Sequence, residues 1–210
     1  MKRLLIIGAR GFGREIFDLV KDCEGYDSIF TVKGFLDDNR EILAGFNNYP
    51  PVISSLESYQ FETGDVFFVA LGDPKLRRHY VELALQKGGE PISLIHKTAH
   101  VGCNSVVGRG CLIGVGSRVT VDCKIGNFVT LFYCTDIGHD VRIGDYSHIG
   151  AFCFMGGGSS LGVCVTMHPR ASLLPHKKVG DNAVIGAGSV CIRNVSAEDS
   201  VFGVPARSIT

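Results

Sequence analysis

Ile137-Gly138-His139-Asp140-Val141-Arg142-Ile143-Gly144-Asp145-Tyr146-Ser147-His148-Ile149-Gly150-Ala151-Phe152-Cys153-Phe154 reads in blocks of six. Each block opens on Ile, follows it with Gly, and puts a small residue (Val141, Ser147, Cys153) fifth. Followed outward, the phase holds from Val101 to Ser196, sixteen blocks with no insertion. The first position is aliphatic or Met in every block except the one opening at Cys191, and the fifth is small everywhere except at Lys177. A helix repeats its apolar residues near every 3.6 and a half-buried strand every 2. A period of six with Gly matches neither. It fits short strands separated by tight turns, with Gly supplying backbone angles that other residues avoid. Three blocks close one triangular coil, and coils stack at the strand spacing of about 4.8 Å. The stretch is therefore read as a parallel β-helix of five coils and a little more.

The remaining composition narrows the class. The chain has 210 residues, 45% hydrophobic, with 27 Gly, enough for one large or two small domains. Lys+Arg and Asp+Glu are both 21, so net charge gives no argument for a nucleic acid or an anionic membrane as partner. The apolar run at Leu4-Leu5-Ile6-Ile7 stops after four residues and reads as a first strand rather than a signal peptide, which predicts a cytoplasmic protein. Seven of the eight Cys lie in the repeat; Cys111, Cys123, Cys153 and Cys191 occupy inward columns. With no C-x-x-C pair they read as buried thiols, and no metal site is expected.

Before the repeat, Leu4 to Ile7 is followed by Gly8-Ala9-Arg10-Gly11-Phe12-Gly13 and then by a helical pattern through Ile16, Leu19 and Val20. This is the strand, Gly-rich turn and helix that open a nucleotide-binding unit, with backbone N–H groups at a helix start suited to phosphate. A second strand is expected over Val32–Asp38, ending in two carboxylates able to accept hydrogen bonds from a ribose or base. A third is expected over Val66–Gly72, a helix over Pro74–Lys87 with Leu76, Tyr80, Leu83 and Ala84 on one side, and a short strand over Pro91–Ile95. The dinucleotide fingerprint is incomplete in either register: Ile16 stands where one third glycine would fall, and Arg10 where the other register needs its second. A mononucleotide or nucleotide-sugar fits better than a dinucleotide.

Within the repeat, His139 takes a third position and is expected at a corner, open to solvent, with Asp140 beside it. A carboxylate next to an imidazole can orient the ring and stabilise its protonated form, as a general base requires. His148 follows nine residues later, half a coil, and is expected at a corner on the opposite side of the prism. If both histidines serve one site, that site lies between subunits of a closed oligomer. Met167 to Lys178 departs most from the pattern. A local distortion or a basic patch is expected there; Lys177, Lys178, Arg170 and Arg193 could meet an acyl carrier's phosphates, but a solvated face is the favoured reading.

Together these residues resemble the bacterial sugar acyltransferases of the sialic acid O-acetyltransferase and nucleotide-amino-sugar N-acetyltransferase type. The likeness rests on Ile7 to Gly13, Leu36-Asp37-Asp38, Leu94-Ile95-His96, the unbroken hexads, Gly138-His139-Asp140, Ile143 to His148, and Val201 to Arg207. It implies a Rossmann-like nucleotide-sugar-binding domain over residues 1–95 and a left-handed parallel β-helix acyltransferase domain over 96–210. The spacing itself does not give the hand, and ordinary crossover chirality would favour the other. The resemblance further implies a homotrimer with acetyl-CoA bound in the groove between neighbouring β-helices. His139 would deprotonate the acceptor with Asp140 supporting it. His148, Gly157, Pro169 and Ala187 would contact acetyl-CoA, and Arg10, Gly11, Phe12, Asp37, Asp38 and Gly72 the nucleotide-sugar. The expected reaction is acetyl transfer to the amino group of a UDP-amino-sugar. Transfer to a hydroxyl of sialic acid or another glycan sugar is the alternative, and a non-catalytic trimeric sensor or scaffold is a reading of another class. Arg10 and Phe12 replace the Ser and His common among relatives, which leaves the nucleotide open. Pro169 offers no N–H donor.

Overall fold

The computed structural model describes residues 1–209. The chain divides into two compact units, Met1–Leu94 and Ile95–Thr210.

The first unit is a five-stranded parallel sheet in the order β3-β2-β1-β4-β5, with β1 Lys2–Ile7, β2 Phe30–Leu36, β3 Val52–Ser54, β4 Asp65–Val69 and β5 Glu90–Pro91. Leu4 to Ile7 and Val66 to Val69 are all buried, as expected of parallel strands covered on both faces. Helix α1, Gly11–Leu19, turns Gly13, Ile16 and Leu19 inward. A Cβ at Gly13 would collide with the Gly8 carbonyl, so glycine lets the helix start close against the end of β1.

Four expectations change here. Strand β2 stops at Leu36, two residues early, because the Asp37 carboxylate accepts from the N–H groups of Ala9 and Asn39 and turns the chain. Strand β3 had no sequence forecast; it is three half-buried residues, too short to show a period. The Pro91–Ile95 strand divides: β5 pairs with β4, and Ile92 N–H extends that pairing to the Phe67 carbonyl, whereas Leu94–Ile95 belongs to a different sheet. Helix α2, Pro74–Gln86, buries Pro74, Arg77, Val81 and Ala84, and leaves Leu76 exposed. Its inward face is rotated from the expected one because Arg77 is held inside by backbone carbonyls.

The second unit is the solenoid. Each hexad contributes a two-residue strand made of its last residue and the next block's first, as in Asp136–Ile137, Arg142–Ile143 and His148–Ile149. Parallel partners lie 18 residues apart: Arg118 pairs with Asp136, Asp136 with Phe154, and Phe154 with Ser172. Three ladders result, one per face of the prism. From Ile113 to Cys191 the first-position column is buried, and the fifth-position residues pack beside it. The third ladder is finished by Ser200–Phe202 and Arg207–Ser208, an antiparallel pair that covers the end of the stack.

The glycine column has a different cause from the one expected. Positive φ falls at the fourth position of the hexads, at Asn104, Asp122, Asp140 and His176 among others, and not at the second. Second-position glycines are needed because coils stack closely: a Cβ at Gly108 would fall 2.5 Å from the Gly126 carbonyl oxygen. The Met167–Lys178 coil is not distorted. Thr166–Met167, Ser172–Leu173 and Lys178–Val179 pair in the same register as their neighbours. Lys177 stays half-buried in its inward column, where a long stem can lead its ammonium outward without breaking the turn.

Candidate active site

The turn between Asp136–Ile137 and Arg142–Ile143 carries His139 and Asp140, both exposed at a corner of the prism. Asp140 takes the left-handed backbone of the fourth position, φ 60°, a conformation Asp tolerates better than most residues. Its Oδ2 lies 2.8 Å from His139 Nδ1. That contact assigns the proton to Nδ1 and leaves Nε2 as the free acceptor. Nε2 lies over Gly157, one coil further along, where any Cβ would collide with the ring. The Gly158 N–H donates to the His139 carbonyl at 2.8 Å and fixes the two coils against each other. An imidazole so held can accept a proton at Nε2 from a group brought over the Gly157 step.

His148 stands elsewhere. It is half-buried in the strand His148–Ile149, flanked by Thr130 and Thr166 on its ladder, with its ring centroid 6.4 Å from that of Phe132. It is therefore a face residue and not the corner residue expected, because nine residues from a third position leads to a sixth. The corner bearing His139 joins the other two faces, so His139 and His148 look away from each other within one chain. Pro169 and Ala187 lie at a further corner, beside the His148 face; both are exposed, and the Pro169 carbonyl accepts from Gly188 N–H at 3.0 Å. Of the four residues expected to touch acetyl-CoA, Gly157 thus lies with His139, and the other three gather on the opposite side. The four basic residues do not form one patch. Lys177, Lys178 and Arg193 follow the His139 corner, while Arg170 sits over Phe152 at the Pro169 corner, 5.9 Å from the ring centroid. Among the described residues, no three His, Cys, Asp or Glu side chains gather as a metal site. The described cysteines are all free thiols, and burial pushes Cys153 and Cys191 up to about 11.

The α/β unit has a cavity of about 410 Å³ at the carboxyl ends of β1 and β2. Open parallel sheets receive ligands at this edge. Leu36, Leu56, Leu71 and Leu76 form apolar walls, and Arg10, Asp38, Asn39 and Tyr80 provide polar groups. Asp37 reaches the cavity with its carboxylate already engaged by Ala9 and Asn39 N–H, so it shapes the site. Asp38 is the freer acid: its Oδ2 accepts from the Tyr80 hydroxyl at 3.3 Å. Partial desolvation, then the charge and hydrogen bond of Glu57, push its carboxyl above the usual carboxylate range. Gly11 and Phe12 begin α1 beside the cavity, and nothing lies within 4 Å of a Cβ at Gly11. Gly72 is off the lining. Its carbonyl and that of Leu71 are reached by Arg77 Nη1, at 3.4 and 2.8 Å. Arg77 is 2% exposed. Sequence reading missed it, along with Leu56 and Asn39, and a lone Arg in a helix carries no signal that it will be buried.

Comparison with known proteins finds similarity along the chain. Residues 3–84 match the PglD N-terminal domain. Over 205 residues the chain is 27% identical to a GDP-perosamine N-acetyltransferase of Escherichia coli O157:H7, covering 94% of this chain and 81% of that protein. PerB from Caulobacter crescentus, solved with CoA and GDP-perosamine, superposes with a TM-score of 0.89 at 26% identity, over 100% of this chain and 98% of that one. Over nearly its whole length the chain is thus similar to sugar N-acetyltransferases. The likeness extends to a further member of these sugar acetyltransferases, the acetyltransferase domain of PglB from Neisseria gonorrhoeae FA1090, solved with acetyl coenzyme A. It has a TM-score of 0.87 at 25% identity and covers 99% of each chain. Both units of the present chain thus have counterparts within single sugar acetyltransferases, in the same order.

Proposed function

We propose that the chain transfers the acetyl group of acetyl-CoA to the amino group of a nucleotide-linked amino sugar. The observation that carries this is the His139–Asp140 pair, with Nε2 aimed over Gly157, where a side chain would displace the ring. The acceptor amine attacks the thioester carbonyl while His139 Nε2 takes the proton released from nitrogen. Asp140 stabilises the imidazolium that forms. The chain's own contribution is position and one proton transfer. The cavity at Arg10, Asp38, Asn39 and Tyr80 holds the nucleotide, with the α1 start at Gly11 and Phe12 turned to its phosphates.

We infer a homotrimer, because His148, Pro169 and Ala187 lie on the side of the prism away from His139. Acetyl-CoA held by them reaches the His139 of a neighbour, not that of its own chain. The setting is cytoplasmic, as the sequence reading expects. An amino acceptor is favoured over a hydroxyl because the relatives named above include N-acetyltransferases, and one was solved with GDP-perosamine.

The test is release of CoA thiol from acetyl-CoA against a panel of GDP- and UDP-linked 4-amino sugars, CMP-sialic acid and free sialic acid, with wild type and His139→Ala. Turnover on an amino sugar nucleotide, abolished in His139→Ala with the trimer intact, is expected. Turnover only on sialic acid would favour the hydroxyl acceptor, and none at all would favour a sensor.

A further inference from the structure

His176 has no role in this scheme, yet it stands at the same corner as His139. It occupies a fourth position with φ 61°, one coil beyond Gly157 and Gly158. A Cβ at Gly157 would collide with His139 Nε2, and one at Gly158 would fall 2.5 Å from His176 Nδ1. The two imidazoles therefore lean toward one bare glycine step from opposite directions along the stack. Backbone bonds fix the arrangement: Gly158 N–H donates to the His139 carbonyl at 2.8 Å, and His176 N–H to the Gly157 carbonyl at 3.0 Å. Three consecutive coils thus hold one imidazole, no side chain, and a second imidazole.

We propose that His176 is the second proton carrier of the reaction, donating to the departing CoA thiolate. This rests on the acetyl-transfer reading above. Attack forms the C–N bond and breaks the C–S bond; the proton on nitrogen passes to His139 Nε2, and the sulfur takes a proton from the His176 imidazolium. The two rings end with one proton gained and one lost, and solvent restores both. A side chain at the glycine step would displace either ring, so its bareness lets both imidazoles take their places at one corner, and the thioester meets their solvent-facing edges. The side-chain-free corner is then explained by function as well as by stacking.

The test is made on the binary complex with CoA, which needs no sugar. His176→Asn keeps a residue that tolerates positive φ, so the turn is preserved. An imidazolium beside a thiol lowers its pKa. The thiol of bound CoA, followed by the ultraviolet absorbance of its thiolate, is expected to titrate about one pH unit lower in wild type than in His176→Asn. In turnover, His176→Asn is expected to lose about 10²-fold in kcat with acetyl-CoA, and much less with an acetyl thioester of an acidic thiol, whose thiolate leaves unprotonated. CoA bound equally well with the same thiol titration in both proteins overturns the assignment and leaves acetyl transfer standing. No CoA binding by wild type overturns both.

Discussion

The solenoid and the α/β unit build their sites in opposite ways. In the solenoid one backbone geometry recurs every 18 residues, so a side chain's surroundings follow from its place in the hexad. His139 and Asp140 are exposed because positions three and four are corners, and Ile137 and Val141 are buried because positions one and five point inward. In the α/β unit no residue of the cavity can be assigned by count. Its wall combines β1, β2, the loop after β4 and helix α2, and its shape depends on Asp37 tied to Ala9 and on Arg77 tied to Leu71 and Gly72. A repeat separates packing positions from chemical ones. An irregular fold lets one residue serve both.

The contrast breaks most sharply at glycine. Gly157 and Gly144 are both repeat glycines without positive φ. The nearest atoms to a Cβ at Gly144 would be the backbone of Gly162, whereas those nearest to one at Gly157 would be the His139 ring. Gly157→Ala is therefore expected to cost about 10²-fold in kcat with its melting temperature nearly unchanged, since a displaced ring loses general-base catalysis. Gly144→Ala should lower the melting temperature and spare kcat in whatever protein remains folded. The reverse pattern, read by steady-state kinetics and thermal melts of the two variants, would mean that corner and stack are not separable.

Arg77 tests the other side. Its guanidinium is buried and donates to two carbonyls that begin the loop into α2. Arg77→Met should destabilise the α/β unit by about 2 kcal/mol, the scale of a charge-assisted hydrogen bond. Unlike a solenoid packing change, it should also raise KM for the sugar nucleotide about tenfold, because Leu71 lines the cavity. Melts and initial rates at varied nucleotide-sugar check this, and unchanged KM would confine Arg77 to stability.

A smaller effect should separate the units in acid. Burial alone would raise the Asp65 carboxyl, but hydrogen bonds from the Tyr59 hydroxyl, Glu62 N–H and Lys33 ammonium outweigh it and hold it below its ordinary 3.8. A carboxyl depressed in the folded state contributes stability above its unfolded pKa and loses it as pH falls through the folded value. The α/β unit is therefore expected to lose more stability in wild type than in Asp65→Asn as pH falls below the ordinary 3.8. The two melting curves should converge at the acid end. A constant gap would mean that Asp65 does not titrate in this window.

Much of the molecule was legible as written. The hexads specify strands, register and the buried columns, because six residues per side and three sides leave a single phase in which the first and fifth positions face inward. The same phase gives His139 its corner, and a stricter count would have given His148 its face. The reason for the second-position glycines was hidden: contact between coils is not visible along one coil, and the positive φ lies two places later. Strand β3, the buried face of α2 and the role of Arg77 were hidden too, since each depends on what packs against it. His176 was read only as part of an irregular segment. The stacking of three coils brings its ring to the Gly157–Gly158 step opposite His139.

By itself, then, the sequence determined a stacked prism, a strand–turn–helix unit with a cavity edge, and an imidazole–carboxylate pair open to solvent. Local period and backbone sterics suffice for these. Only the tertiary structure decided which glycines make room for chemistry, which acid is spent on the backbone, and that His176 shares the Gly157–Gly158 step with His139. Those facts are set by distances between residues far apart in the chain, which no local pattern encodes.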